Sequence, residues 1–87
     1  MILVLDLCYR RDSLSRYEFV DPIAAIVRRA GVPCTVRHYI DVRDADREEA
    51  ERVILCGTAL KDDGFAASPE AFGWMLDFPR PLLGICA

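Results

Sequence analysis

The residue best placed for chemistry is Cys86, in the closing run Pro81-Leu-Leu-Gly-Ile-Cys-Ala87. Gly84 stands two positions before it, at the end of an apolar stretch. This is the first part of a nucleophile elbow, in which a buried strand turns sharply into a helix and presents a nucleophilic side chain at the C-terminal edge of a sheet. The tight turn needs small residues on both sides, and the helix that follows aims its positive end at the thiolate. A cysteine that ends an apolar strand is, taken alone, more often an inert buried thiol. The rest of the chain has to decide between the two.

A thiol nucleophile needs a base, ordinarily a histidine oriented by a carboxylate. The sequence holds one histidine, His38. It falls on a stretch that alternates like a strand, so a structural role is expected and no Cys86–His38 dyad is drawn. Asp6 closes the first apolar run, at the sheet edge where ligands of doubly wound folds bind. A strand-end Asp that caps the next turn is the commoner arrangement, and Asp6 receives no catalytic role. The cysteines, at positions 8, 34, 56 and 86, form neither a CxxC pair nor a zinc pattern. With no metal or cofactor expected, reduced thiols in a cytoplasmic protein are the simplest reading.

These residues must be held by elements that the sequence also marks. Met1 to Leu7 is nearly continuous apolar sequence, as expected of a parallel strand buried on both faces. Cys8 to Tyr17 is polar and reads as a loop. A helix over about Asp21–Ala30 follows, with Asp21 as N-cap, Pro22 in the first turn, Phe19, Ile23, Ile26, Val27 and Ala30 at helical spacing, and Gly31 as the stop. Cys34 to Ile40 alternates as a half-exposed strand near a sheet edge. Asp44 to Glu51 reads as a short, solvent-exposed helix and Val53 to Cys56 as a strand. Gly57 to Ala67 reads as a loop. Ser68-Pro69-Glu70 starts a helix through about Leu76, and Leu82 to Cys86 is a fourth strand launched by Pro79 and Pro81.

Strands alternating with helices predict an α/β fold, a doubly wound parallel sheet with helices on both faces. The last apolar run has no helix after it, so the 87 residues read as a truncated domain or half of a split one. Composition narrows the partners. The chain is 53% hydrophobic and 29% charged, with a formal net charge of −3. Its short basic pairs, Arg10-Arg11 and Arg28-Arg29, are flanked by acidic residues and read as solvated faces, so nucleic acid is not an expected partner. No stretch approaches the roughly 20 apolar residues that span a bilayer, and Asp6 interrupts the apolar N-terminus, which lacks the basic start of a signal peptide.

Several features together resemble one family. They are an apolar first strand ending in Asp, a helix ending in Gly-Val, a third strand ending in a small-Gly turn at Cys56-Gly57, and Pro81-Leu-Leu-Gly-Ile-Cys-Ala87 about 30 residues later. In this order they resemble the class I, or triad-type, glutamine amidotransferases, whose nucleophile motif is Pro-x-x-Gly-x-Cys-x-Gly. The resemblance implies a flavodoxin-like fold and makes residues 1–87 the N-terminal half of a single domain. It implies a glutaminase in which Cys86 attacks the side-chain amide of glutamine, forms a thioester and releases ammonia to a synthetase domain or subunit. The backbone N–H groups of Thr58 and Ala87 would meet the oxyanion, with Gly57 and Thr58 forming the substrate-binding turn.

The remaining C-terminal half would bring the missing His and Glu, and the chain by itself would be inactive. The family's Ser-Gly-Gly-Pro-like turn appears here as Cys56-Gly57-Thr58-Ala59. Thr is β-branched and tolerates positive φ poorly, so a positive φ at 58 would misform the oxyanion hole. Two other readings remain: a cysteine hydrolase of the intracellular-protease-like superfamily, and a non-catalytic relative used as a binding or regulatory module.

Overall fold

The computed structural model describes residues 1–59 and 64–85. It contains strands β1 (Ile2–Asp6), β2 (Cys34–His38), β3 (Arg52–Leu55) and β4 (Leu82–Gly84). Between them lie helices α1 (Leu14–Phe19), α2 (Asp21–Arg29) and α3 (Asp44–Glu49), and two 3-10 helices, Gly64–Ala67 and Pro69–Asp77. The strands form one all-parallel sheet in the order β2-β1-β3-β4. The central strand β1 pairs with β2 from Ile2↔Cys34 to Asp6↔His38, and with β3 from Ile2↔Arg52 to Leu5↔Leu55.

Alternation along β1 sends its side chains into two cores. Leu3 and Leu5 join Leu7, Tyr39, Ala50 and Val53, over which Phe65, Phe72, Trp74, Met75 and Phe78 pack. Val4 faces the other way with Cys8, Val20 and Cys56, against which Ile23 and Val36 pack. The 3-10 segments therefore cover one face of the sheet and α2 the other, which is why Ile2 to Leu5 of β1 read as unbroken apolar sequence. Leu3, Val4 and Leu5 are fully buried, each such side chain contributing about 2 kcal/mol.

The structure corrects the sequence reading at several points. The segment Cys8–Tyr17 is not all loop, because α1 begins at Leu14. Its apolar residues give no stripe to detect, since Leu14 is 81% and Tyr17 68% exposed. Asp21 does not cap α2. Val20 holds the N-cap position, and Asp21 lies inside the first turn, where its carboxylate accepts from Arg16 Nε at 3.2 Å. The buried residues of α2 are Ala24 and Val27, while Ile26 faces solvent. Gly31 ends the helix as expected, with φ of 78°, a conformation that favours glycine.

Strand β2 stops at His38 rather than Ile40, because Asp41 N–H turns back to the His38 carbonyl at 2.8 Å. The acidic helix α3 forms as expected, except that Asp46 is buried. The loop expected from Gly57 to Ala67 ends in the 3-10 helix Gly64–Ala67. The helix expected from Ser68 is 3-10 rather than α, and Ser68 makes no side-chain cap bond. Phe72, Met75 and Phe78 recur every third residue, as do Ala71 and Trp74. That period matches three residues per turn and keeps all five side chains on the sheet. Finally, β4 is not a buried strand. It is an edge of the sheet, with Leu82 40% and Leu83 57% exposed.

Candidate functional site

The predicted site residues belong to the C-terminal edge of the sheet, where all four parallel strands end. Leu55 of β3 is in register with Gly84 of β4, and Ile85 N–H donates to the Leu55 carbonyl at 2.9 Å. The turn Cys56-Gly57-Thr58 therefore leaves β3 beside the segment that leads to position 86. Cys86 and Ala87 themselves lie outside the described residues. Thr58 is buried, at 5% exposure. Among the described residues positive φ occurs at Asp12 and Gly31, so neither Gly57 nor Thr58 adopts the left-handed conformation considered for this turn.

Asp6, at the end of β1, is 1% exposed. Its Oδ1 accepts the Cys8 N–H at 2.8 Å, which closes the turn after the strand as the sequence suggested. Among the described residues nothing hydrogen-bonds its Oδ2, nor the buried Ser13 Oγ in the loop above. Cys56, at the end of β3, is fully buried. Burial pushes its thiol up to about 12, and the Asp6 charge and the Cys34 thiol act in the same direction. Cys56 is thus an inert core thiol.

His38 ends β2 and is spent on backbone. Its Nε2 lies 2.8 Å from the Cys8 carbonyl oxygen, and Ile40 N–H donates to Nδ1 at 3.4 Å. This pair of contacts puts the ring proton on Nε2. Two strands, β1 and β3, separate β2 from β4, so His38 stands roughly 14 Å from the β4 line at the usual strand spacing.

Two depressions open at this edge. One, of about 210 Å³, is polar and includes Asp6, Arg11, Arg37, His38 and Asp41. Its cations are already engaged. Arg11 forms a two-pronged bond to Asp41, which holds that carboxyl below its usual range, and Arg37 Nε donates to Asp46 at 3.0 Å. The other, of about 370 Å³, is apolar and is lined by Leu7, Leu55, Phe65, Phe72 and Met75. It adjoins the β3 end and was not legible in the sequence, since its lining comes from four separate segments. A third depression, by Arg47, Trp74 and Arg80, lies at the opposite edge of the sheet.

Among the described residues no group of three His, Cys, Asp or Glu side chains could hold a metal ion, and no helix is long and apolar enough to cross a membrane. The class defined by these observations is a small α/β protein with a four-stranded, all-parallel sheet. Neither family models, curated proteins nor solved structures give a match to this chain.

Proposed function

We propose that this chain carries the nucleophile strand of a glutamine amidotransferase-type glutaminase, with Cys86 as the thiol that attacks the glutamine amide. The observation that carries the reading is the Leu55↔Gly84 register, which brings the Gly57-Thr58 turn out beside the segment leading to the Gly84-Ile85-Cys86 elbow. A tetrahedral oxyanion on Cys86 would then be met by the backbone N–H groups of Ala87 and Thr58. The strand order 2-1-3-4 is compatible with a flavodoxin-like fold, in which ligands bind at the C-terminal ends of the strands.

The base must come from elsewhere, because the chain's one histidine is tied to the Cys8 carbonyl on the far side of the sheet. In this reading a C-terminal half supplies His and Glu, a synthetase domain or subunit takes the ammonia, and the 87-residue chain alone is inactive. A second reading, a non-catalytic relative kept as a binding module, is favoured by the altered Cys56-Gly57-Thr58-Ala59 turn, in which Thr58 is buried.

The test is labelling with a glutamine-mimicking chloroketone, read by peptide mass, alongside the intact mass of the purified protein. Selective modification of Cys86, blocked by glutamine, is the expected result, together with a co-purifying second polypeptide. Absence of selective labelling in the presence of such a polypeptide rejects the glutaminase in favour of the binding module. Glutaminase turnover by the lone chain above a Cys86→Ala control would overturn the claim that it needs another half.

A further inference from the structure

Asp6 carries an oxygen whose needs its surroundings do not meet. The residue is 1% exposed, and its Oδ1 is committed to the Cys8 N–H at 2.8 Å. Oδ2 is equally buried and has no hydrogen-bond partner. Burying a carboxylate oxygen without a donor is costly, because the water that solvated it in the unfolded chain has been removed. Such an atom calls for a water, an ion or a ligand group.

The cations of the same depression are engaged elsewhere. Arg11 grips Asp41 with two nitrogens, Arg16 lies between Asp12 and Asp21, and Arg37 holds Asp46. The Nε2 proton of His38 goes to the Cys8 carbonyl. The loop between β1 and α1 ends at the other buried oxygen without a partner, Ser13 Oγ, which stands at the N-cap of α1 yet makes no cap bond.

We propose that the polar depression lined by Asp6 is a binding site for a small primary amine, whose ammonium group donates to Asp6 Oδ2. Its walls all come from residues 6–41, beside β2, the edge strand opposite β4. The volume is about 210 Å³, whereas one water occupies about 30 Å³ of liquid, so the space admits a molecule of several heavy atoms.

Three observations select the amine. With Oδ1 taken, the carboxylate offers a single oxygen, which suits the compact charge of an ammonium and not the two-pronged fork of a guanidinium. Among the described residues no three His, Cys, Asp or Glu side chains are grouped to hold a metal ion. The depression also supplies a second acceptor and an apolar wall. Asp12 is bonded only through Oδ1, to Arg16 at 3.4 Å, and Val36 offers a surface for a short alkyl chain.

The outer wall can yield to such a ligand. It is the Arg11–Asp41 pair, whose side chains are 57% and 40% exposed, and water screens an ion pair of this kind so that it breaks readily. Displacing it uncovers Asp6 without disturbing the core. The site is separate from the proposed glutaminase chemistry, because β3 lies between β1 and β4 and two strand spacings amount to about 10 Å. The inference therefore does not rest on that reading.

The test is titration of n-butylammonium into the isotopically labelled chain at constant ionic strength, read by amide NMR. The control is n-butyltrimethylammonium, which has the same charge and alkyl chain but no N–H. The primary amine is expected to shift the amides of Cys8, Val36 and His38 along a saturating curve, and the quaternary one to bind roughly tenfold more weakly or not at all. Asp6→Asn keeps an acceptor for the Cys8 N–H but turns the free oxygen into a donor, and is expected to lose the saturable shifts while its spectrum stays that of a folded protein. Arg11→Ala, which removes the outer wall and a positive charge, is expected to tighten binding several-fold.

An absence of saturable shifts in the parent protein would overturn the proposal and leave an internal water as the partner of Asp6. An equal response to both amines would overturn it in favour of unspecific charge attraction. Binding that survives Asp6→Asn, or that is no tighter in Arg11→Ala, would also overturn it. If Asp6→Asn does not fold, the two amines compared on the parent and on Arg11→Ala decide the matter.

Discussion

His38 Nε2 sits 2.8 Å from the carbonyl oxygen of Cys8, so the end of β2 is fastened to the loop that follows β1. Both partners are buried, and the bond spans thirty positions of sequence. It accounts for the chain's one histidine without any reaction.

Replacing His38 with Ala removes the donor and strands a buried acceptor, at a cost of about 2 kcal/mol. The urea midpoint of unfolding should fall, while chloroketone labelling of Cys86 in the folded protein should keep its rate. A labelling rate that collapsed with stability intact would instead give His38 a part in the chemistry.

Asp46 gives the fold an acid-sensitive point. Burial by itself raises its pKa, but the Arg43 backbone N–H and the Arg37 guanidinium outweigh that and hold the carboxyl below its ordinary value. The folded state therefore binds this proton less readily than the unfolded one. The stabilisation is complete above the unfolded value of about 4 and is lost as pH falls through the folded value. Asp46→Asn should be clearly less stable than the parent at neutral pH, and the gap in denaturation midpoint should narrow steadily below about pH 4.

Cys56 should be silent to thiol reagents in the native state. Buried in the core, with its pKa pushed up to about 12, it carries almost no thiolate at pH 8. Peptide mass mapping after brief alkylation should find it unmodified in buffer and modified in urea. Rapid native alkylation of Cys56 would contradict the packing described.

Arg80 closes the far end of α3. Its Nε donates to the Ala50 carbonyl at 2.7 Å and a terminal nitrogen donates to the Arg47 carbonyl at 2.9 Å, satisfying groups that the end of the helix leaves open. Arg80→Ala should cost about 2 kcal/mol, and Arg80→Lys should recover only part, since one ammonium cannot reproduce the planar fork. Thermal unfolding of the three proteins gives the order.

How much of this was legible in the sequence depended on range. The unbroken apolar run from Ile2 to Leu5 of β1, the alternation of β2 and the glycine that ends α2 are local signals, and each names its element correctly. Helix α1 was invisible because Leu14 and Tyr17 point to solvent, so no stripe repeats. The 3-10 geometry of Pro69–Asp77 was in fact encoded in the three-residue spacing of Phe72, Met75 and Phe78, but a helical pattern was read as α. At the site, the turn cap of Asp6 and the structural place of His38 followed from residue type and position. The Arg37–Asp46 and Arg80–Ala50 bonds did not, because they join segments whose proximity exists only after the sheet has formed.

The central position of β1 has a consequence for the order in which the molecule can be made. Ile2 to Asp6 leave the ribosome before either of their partners, since one neighbour, β2, is available only after residue 38 and the other, β3, only after residue 55. Over that interval the most apolar strand of the chain stands with at least one edge unpaired, and parallel pairings across such distances form slowly. Nascent chains stopped between β2 and β3 should therefore be the species most dependent on a holding chaperone.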